Sequence, residues 1–169
     1  LCAGTGCLGL GVKRFCPEAD VTCVEKSPEA FRYLKKNAVT ALKQGTARAV
    51  EGDLFTYWKG LPEGELDLIV SNPPYIPTAD IEALDPSVRD HEPHLALDGG
   101  ADGLDFYRVI CEKWRDALCE NGMLFFEVGI GQADQVLRIM RSHGFGDIQI
   151  VKDLNNIPRV VYGTRVETI

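Results

Sequence analysis

The sequence predicts an α/β fold in which a mostly parallel sheet carries helices on both faces. First, short apolar runs typical of buried strands alternate along the chain with segments of helical periodicity. Second, a glycine-rich segment at residues 4–9 is typical of the turn from a strand into a helix. Third, the last two apolar runs follow each other too closely for an intervening helix, which indicates an antiparallel hairpin at the sheet edge.

Six apolar runs are predicted to be strands because they are short and rich in branched and aromatic side chains. They cover residues 21–25, 47–52, 66–71, 122–129, 148–153 and 159–166. Because the glycine-rich segment begins almost directly after Leu1, we expect the strand that leads into it to be missing from the given chain. With that strand the sheet would have seven strands, and a short connection at residues 154–158 would join the last two.

The helices are predicted from capping residues and from the spacing of apolar side chains. A helix over residues 27–43 begins with Ser27 as the N-cap and Pro28 at the first helical position. Its apolar stripe consists of Ala30, Tyr33, Leu34, Ala38, Ala41 and Leu42. Two further helices are predicted at residues 105–120, ended by Asn121-Gly122, and at residues 132–143, ended by Gly144.

Composition and charge narrow the class of protein. The 169 residues are 45% hydrophobic and 25% charged, which is typical of a single globular domain. A net charge of −7 disfavours a broad phosphate-binding face, so we expect no stable nucleic-acid partner. The six cysteines form no CxxC pair, which favours reduced, mostly buried thiols in the cytoplasm. No apolar run approaches the roughly 20 residues of a membrane span, so we expect no membrane partner.

Three successive strand ends carry groups that suit an adenosine-containing ligand. The glycines of residues 4–9 match the GxGxxG pattern, which lets a ligand approach the backbone and the start of the next helix. Glu25 ends the following strand, where a carboxylate can accept from both hydroxyls of a ribose. Asp53 follows the third strand and can accept from an adenine amino group while Leu54 and Phe55 lie against the ring. Each signal alone also fits a plain turn or a solvated acid, but their order favours adenosine, which NAD and S-adenosylmethionine both contain.

The strand at residues 66–71 is the fourth when the strand expected before the glycine-rich segment is counted. The segment that follows it, Asn72-Pro73-Pro74-Tyr75, favours chemistry on a planar amino group. The prolines stop helix and ladder hydrogen bonding, so the chain leaves the sheet as a stiff extended arm. The Asn72 carbonyl oxygen can accept one N–H of an NH₂ group and a main-chain carbonyl the other, while Tyr75 lies against its flat face. Such a nitrogen is a weak nucleophile and needs a strong electrophile, such as the methyl sulfonium of S-adenosylmethionine, aligned for displacement. The alternative interpretation is an ordinary Asn-Pro turn.

The stretch at residues 76–102 is predicted to be a long irregular loop because it carries prolines and a Gly99-Gly100 pair. Loops of this length are usually functional, and this one directly follows the arm, so we expect it to shape a substrate pocket. His91 and His94 lie in it around Glu92, but no third and fourth ligand stands at usable spacing. We therefore predict no metal site.

These segments resemble class I S-adenosylmethionine-dependent methyltransferases, and more narrowly the HemK/PrmC family, the release factor glutamine methyltransferases. The resemblance is carried, nearly end to end, by CAGTG, SPEAF, EGDLF, VSNPPYIP, VRDHEPHLALDGGADGLDFYR, FFEVGIGQ and KDLNNIPRVV. NPPY alone is shared with DNA adenine and other amide or amine methyltransferases, whereas the EPHLALDGGADGLDFYR block is far more specific. The resemblance implies a Rossmann-like methyltransferase fold, with one catalytic domain over residues 1–169 and without the family's helical N-terminal domain.

The resemblance also implies an activity, the transfer of a methyl group from S-adenosylmethionine to the glutamine side-chain amide in the Gly-Gly-Gln motif of class I peptide chain release factors. S-adenosylhomocysteine is the second product, and the enzyme is expected to be a cytoplasmic monomer. The cofactor contacts carried over by position are Cys2, Ala3, Gly4, Thr5, Gly6, Glu25, Asp53, Leu54 and Asn72. As catalytic residues, Asn72 and the backbone of Pro73 would hold the amide hydrogens. Pro74 and Tyr75 would complete the substrate pocket.

Two departures from the family and three alternative functions belong to this interpretation. Glu25 stands where many members have Asp, and it is longer by one methylene but can make the same bonds. Leu54 stands where some members have an aromatic residue, so we expect a shallower adenine slot. The first alternative is a DNA or RNA amino methyltransferase, which would need a basic groove. A pyridine-nucleotide oxidoreductase is disfavoured because no proton relay is evident. A non-catalytic cofactor-binding or scaffold domain is the remaining possibility.

Overall fold

The computed structural model describes residues 1–40 and 47–167, and it has the predicted α/β fold. The chain divides into two compact units, Leu1–Gly60 and Leu61–Ile169. Six strands lie within the described residues, two in the first unit and four in the second.

The first unit contains a parallel pair of strands with helices before, between and after them. β1 (Thr22–Glu25) pairs with β2 (Arg48–Glu51), and Glu25 lies opposite Glu51 at the end of the register. The helices are α1 (Cys7–Phe15), α2 (Pro28–Thr40) and α3 (Leu54–Tyr57), followed by a 3-10 turn at Trp58–Gly60. Because both strands run in the same direction, Glu25 and the turn after β2 lie at the same end of the pair.

The start of α2 confirms the sequence prediction. The Ser27 hydroxyl accepts from the backbone N–H of Ala30 at 3.3 Å, and Pro28 is the first helical residue. Leu34 is fully buried, but Tyr33, which was expected in the apolar stripe, is 46% exposed. The predicted continuation through residues 41–43 lies outside the described residues.

The second unit contains a mixed sheet with the strand order β3-β4-β6-β5. Its strands are β3 (Leu66–Ser71), β4 (Leu118–Glu127), β5 (Phe145–Lys152) and β6 (Pro158–Arg165). β3 and β4 are parallel, whereas β6 runs antiparallel to both β4 and β5, so three of the four strands point in one direction. The hairpin predicted at the end of the chain is therefore confirmed.

Helices connect the strands of the second unit. They are a 3-10 helix at Thr78–Ala83, α4 (Pro86–Arg89), α5 (His94–Leu97), α6 (Asp105–Lys113), a 3-10 turn at Arg115–Ala117 and α7 (Ala133–Ser142). The stretch predicted as one irregular loop over residues 76–102 thus holds three short helical segments. Asp85 starts α4 by accepting from the backbone N–H of Ser87 at 2.8 Å, a local signal that the prediction overlooked.

The predicted helix over residues 105–120 is wrong in its second half. α6 ends at Lys113, and β4 already begins at Leu118, which is fully buried and pairs with Leu66. Asn121 has a φ of +61°, and the register between β3 and β4 shifts beside the Asn121-Gly122 pair. The pair therefore marks an irregularity inside the strand rather than the end of a helix, because both uses require the same left-handed backbone.

Each unit has its own buried core. In the first unit the buried apolar side chains are Leu10, Cys23, Val24, Leu34, Ala38, Ala47 and Leu54. In the second unit they include Ile69, Tyr107, Ile110, Trp114, Leu118, Leu124, Phe126, Val128, Val136, Met140 and Val161.

The cysteines are less buried than predicted. Cys23 and Cys111 are buried, but Cys7 and Cys16 are exposed because they lie at the start and just past the end of the short helix α1. In the part of the chain that the structure describes, no helix is long and apolar enough to cross a membrane.

Candidate active site

The glycine-rich loop at the start of the chain makes a tight turn with a backbone conformation that glycine adopts readily. Gly4 and Gly6 have φ values of +55° and +99°, in the left-handed region that favours glycine. The Gly6 N–H donates to the Ala3 carbonyl at 2.8 Å, and α1 begins directly afterwards. A Cβ at Gly6 would lie 2.7 Å from a methyl of Leu34, whereas a Cβ at Gly4 would meet no heavy atom within 4 Å. The loop is therefore packed on one side and open on the other.

Glu25 joins this loop to the end of β1. One carboxylate oxygen accepts from the backbone N–H of Gly4 and the other from the backbone N–H of Ser27, both at 2.7 Å. The side chain is buried, with 9% exposure. A carboxylate offers about four lone-pair positions, so two remain for a ligand after these two bonds. Glu25 thus fixes the loop and keeps acceptor capacity for a pair of hydroxyls.

Asp53 lies after β2 and starts the short helix α3. Its carboxylate accepts from the backbone N–H of Phe55 at 3.0 Å and pairs with the Lys26 ammonium at 2.9 Å. Burial raises the pKa of Asp53, but the bonds to Lys26 and to the Phe55 N–H outweigh it and hold the pKa below its ordinary value. Leu54 is 5% exposed and Phe55 is 39% exposed, so Phe55 offers more surface to a flat ring than Leu54 does.

In the second unit, the arm predicted from the two prolines leaves the sheet at the end of β3. Ser71, the last strand residue, is buried and lies opposite Phe126 of β4. The next residue, Asn72, is exposed, whereas Pro73 and Pro74 after it are buried. The prolines therefore anchor the arm in the protein while the asparagine side chain is presented at its surface.

The chain beyond the arm is tied to the segment at residues 97–100. The Ile76 N–H donates to the Leu97 carbonyl at 3.0 Å, and the Gly99 N–H donates to the Ile76 carbonyl at 2.8 Å. One oxygen of Asp98 accepts from the Thr78 hydroxyl at 2.7 Å and from the Gly100 N–H at 3.0 Å. The arm thus continues into an ordered network of hydrogen bonds with residues 97–100.

Two residues that sequence analysis did not single out hold this frame. Asp98 makes the bonds just described, and the Gln132 side chain donates to the Tyr75 carbonyl at 2.9 Å. The sequence offered one signal for each, since both lie within the blocks that carry the family resemblance.

The predicted site residues fall into two sets, one in each unit. The loop at residues 2–6, Glu25 and Asp53 lie in the first unit, where a hydrogen bond joins the loop to Glu25 and Asp53 pairs with the residue that follows Glu25. The segment from Asn72 to Tyr75 lies in the second unit. The Nδ1 atom of His94 lies 3.9 Å from a carboxylate oxygen of Asp98. Within residues 1–40 and 47–167, no group of three or more His, Cys, Asp or Glu side chains is placed to hold a metal ion.

Solved S-adenosylmethionine-dependent methyltransferases have the same fold, so the chain has the class I methyltransferase fold. A solved methyltransferase from Pyrococcus furiosus superposes with a TM-score of 0.66 at 18% identity, covering 98% of this chain and 72% of that one. The model of one family, described as methyltransferase small domain, matches residues 1–99. The chain belongs to the methyltransferase small domain family.

The resemblance to release factor glutamine methyltransferases is confirmed as a similarity of sequence. The release factor glutamine methyltransferase of Geobacter sulfurreducens is 47% identical over 162 residues, which cover 95% of this chain and 55% of that protein. A solved release factor-specific protein-(glutamine-N5) methyltransferase from Alicyclobacillus acidocaldarius is 26% identical, with a TM-score of 0.50 over 94% of this chain and 88% of that one. The chain spans only slightly more than half the length of the curated relatives it matches.

The fold class implies S-adenosylmethionine as the methyl donor, and the first unit has groups that fit this ligand. The open side of Gly4 allows close approach to the backbone, and the start of α1 offers N–H groups without partners inside the helix. The two remaining acceptor positions of Glu25 match the two hydroxyls of a ribose.

Proposed function

We propose that residues 1–169 form the catalytic domain of an enzyme that methylates the side-chain amide nitrogen of the glutamine in the Gly-Gly-Gln motif of class I peptide chain release factors. The observation that carries the proposal is the arm after β3, where an exposed Asn72 is followed by the buried pair Pro73 and Pro74. The 47% identity to a protein named release factor glutamine methyltransferase supports the same substrate. We further propose that the enzyme acts in the cytoplasm as a monomer.

The proposed cofactor residues form three groups, which would bind the methionine, ribose and adenine parts of S-adenosylmethionine. Cys2, Ala3, Gly4, Thr5 and Gly6 would bind its methionine part through the loop backbone, whose path is fixed by the bond from Gly4 to Glu25. Glu25 would accept from the ribose hydroxyls. Asp53 would accept from the adenine amino group, with Leu54 beside the ring, and its lowered pKa keeps it an acceptor at neutral pH. Asn72 is proposed as a further cofactor contact.

The proposed substrate residues hold the amide by its hydrogens. The Asn72 carbonyl oxygen would accept one N–H of the substrate glutamine, and the backbone carbonyl of Pro73 would accept the other. Neither Pro73 nor Pro74 has an N–H, so the arm presents acceptors without competing donors. Pro74 and Tyr75 would complete the pocket around the flat amide group.

Orientation is the main catalytic contribution that we assign to these residues. When bound, S-adenosylmethionine supplies an electrophilic methyl group and leaves as S-adenosylhomocysteine. The lone pair of an amide nitrogen is delocalised, so the two acceptors on the arm must hold the NH₂ plane with its face toward the methyl carbon. After the N–C bond forms and the S–C bond breaks, the methylated nitrogen carries a positive charge, which makes its two existing N–H groups strongly acidic, and one of these protons passes to solvent. No dedicated base is required.

The test is methyl transfer from a radiolabelled donor to a purified release factor, with duplex DNA as a parallel substrate. We expect one added methyl on the Gly-Gly-Gln glutamine, located by mass spectrometry. The variant Asn72→Ala should lower turnover by about 10²-fold through loss of alignment while the affinity for S-adenosylmethionine changes little. Asn155→Ala, in the exposed turn between β5 and β6, is the matched control and should leave activity unchanged.

Two results would reject the proposal. Label on DNA alone would establish the nucleic-acid alternative, which the net charge of −7 disfavours. An Asn72→Ala enzyme with undiminished turnover would show that the arm does not orient the amide.

A further inference from the structure

We infer that Gln132 is a positioning residue whose side-chain amide fixes the arm and thereby the orientation of Asn72. The inference rests on the proposed function for its catalytic meaning, since it concerns how the same arm is held. Asn72 would touch the substrate, whereas Gln132 acts through the backbone of Tyr75.

The Gln132 amide connects three segments of the second unit. Its nitrogen donates to the Tyr75 carbonyl at 2.9 Å and to the Gly103 carbonyl at 3.4 Å. Its oxygen accepts from the Gly129 N–H at 3.1 Å. The arm, the loop before α6 and the loop after β4 therefore meet at one side chain.

This use of the amide is not explained by the helix that Gln132 begins. Gln132 is the N-cap residue of α7, but its side chain makes no cap hydrogen bond to that helix. Ser, Thr, Asp and Asn are the residues that cap helices well, so capping does not account for a glutamine here. The longer side chain instead reaches a carbonyl 57 residues earlier in the chain.

Three glycines stand around Gln132 and Tyr75, and a side chain at any of these glycine positions would collide with its neighbours. A Cβ at Gly129 would lie 2.7 Å from the Gln132 side-chain oxygen and 2.8 Å from a ring carbon of Tyr75. A Cβ at Gly103, which has a φ of +75°, would overlap the Tyr75 carbonyl oxygen. A Cβ at Gly99 would lie 2.8 Å from the Cα of Tyr75. The Tyr75 backbone therefore lies close to Gly99, Gly103 and the Gln132 amide, and the Tyr75 ring lies close to Gly129.

Fixing Tyr75 fixes Asn72, because only two prolines separate them. Each proline has a φ held near −65°, so the segment transmits the position of its ends. One end is held at Ser71 by the sheet, and the other is held at the Tyr75 carbonyl by Gln132. Loss of the Gln132 bond removes the hold nearest to Asn72 on this side and leaves the backbone bonds of Ile76 to Leu97 and Gly99 as the next one.

The chemistry of the site selects an amide. The group must donate to two carbonyls and also accept from an N–H, which Gln does and Met does not. A carboxylate at this position would place negative charge against two carbonyl oxygens. The arm should therefore be most rigid in the wild type, less rigid in Gln132→Met and least rigid in Gln132→Glu.

The experiment combines hydrogen–deuterium exchange with kinetics on the wild type, Gln132→Met and Gln132→Glu. Gln135→Met is the matched control, since Gln135 is exposed on the same helix. In Gln132→Met we expect exchange to rise about tenfold in peptides covering residues 72–80 and 97–104, as for the loss of one or two hydrogen bonds. We expect kcat on the release factor to fall about tenfold or more while the Kd for S-adenosylmethionine stays within about twofold. Gln132→Glu should exceed Gln132→Met in both effects.

The outcomes distinguish a positioning role of Gln132 from a general effect on the stability of the second unit. They also distinguish a failure of this inference from a failure of the proposed function. A uniform rise in exchange through all strands of the second unit, or unchanged exchange in the arm, would overturn the inference. A wild-type protein that fails to methylate release factor would reject the proposed substrate, while a selective rise in arm exchange in Gln132→Met would still support the anchor.

Discussion

The substitution Glu25→Gln tests whether one buried carboxylate holds the glycine-rich loop. The carboxylate accepts from the N–H groups of Gly4 and Ser27, both at 2.7 Å, and its side chain is only 9% exposed. A glutamine has the same length but one oxygen, so it can keep one of these bonds. Its NH₂ group would then face the second N–H, which loses its acceptor.

The expected cost follows from these two bonds. A hydrogen bond to a charged group contributes about 1.5–3 kcal/mol, and a buried N–H left without a partner costs a similar amount. We therefore expect Glu25→Gln to lower the free energy of unfolding by about 2–3 kcal/mol. For a chain of this size each kcal/mol corresponds to about 2–4 °C, so the melting temperature should fall by about 4–12 °C.

The assay is thermal unfolding followed by circular dichroism, without ligand, at neutral pH. Glu18→Gln is the control because Glu18 is exposed and should change stability by less than about 0.5 kcal/mol. A Glu25→Gln protein that melts with the wild type would refute the reasoning, since the loop would then be held by something other than this carboxylate. The same variant should also bind S-adenosylmethionine more weakly, because one acceptor for the ribose is gone.

Three further predictions concern single groups. Because the pKa of Asp53 is lowered in the folded protein, its ion pair with Lys26 stabilises the fold above the ordinary carboxyl range and ceases to do so as the pH falls through the folded-state value. Asp53→Asn should therefore melt below the wild type at neutral pH, and the gap should close as the pH falls below the ordinary carboxyl range; a gap that is constant with pH would contradict this. Burial raises the pKa of the Cys111 thiol, so iodoacetamide at about pH 8 should label exposed Cys16 in the native protein and Cys111 only after denaturation; equal labelling would contradict the buried position. Tyr107→Phe removes the hydroxyl of a fully buried side chain that donates to the carbonyl of Glu127, the last residue of β4, at 3.0 Å. The free energy of unfolding from a denaturant titration should fall by about 1–3 kcal/mol, whereas an unchanged midpoint would show that this bond contributes nothing.

Sequence reasoning predicted the elements whose signals are local. The N-cap Ser27 and the adjacent Pro28 fixed the start of α2, and the short gap between the last two apolar runs fixed the antiparallel hairpin. The Asn121-Gly122 pair misled the prediction because a left-handed residue ends helices and also interrupts strands. Only the pairing of Leu118 with Leu66, a contact between distant parts of the chain, decides between the two uses.

The residues of the candidate site also differ in whether a local sequence signal marks them. Glu25, Asp53 and Asn72 could be proposed as site residues from sequence because each stands at or just after the end of an apolar run, where parallel strands place ligand-binding groups. Gln132 follows β4 by a few residues and has no comparable pattern around it. Its role depends on reaching Tyr75, 57 residues away, and on Gly103 and Gly129, which leave space for its amide. Such an arrangement exists only after the second unit has folded.

The two prolines account for both the proposed chemistry of the arm and its need for an anchor. Without N–H groups, Pro73 and Pro74 leave a run of carbonyl acceptors, which suits an NH₂ group but cannot extend the ladder between β3 and β4. A segment that cannot pair with a neighbouring strand must be fixed by donors from elsewhere. Burial of both proline rings restricts the arm laterally, and the Gln132 amide supplies the missing donor to the Tyr75 carbonyl. The acceptor-rich character that would bind the substrate therefore requires a donor outside the arm, and this requirement explains why a glutamine rather than a capping residue begins α7.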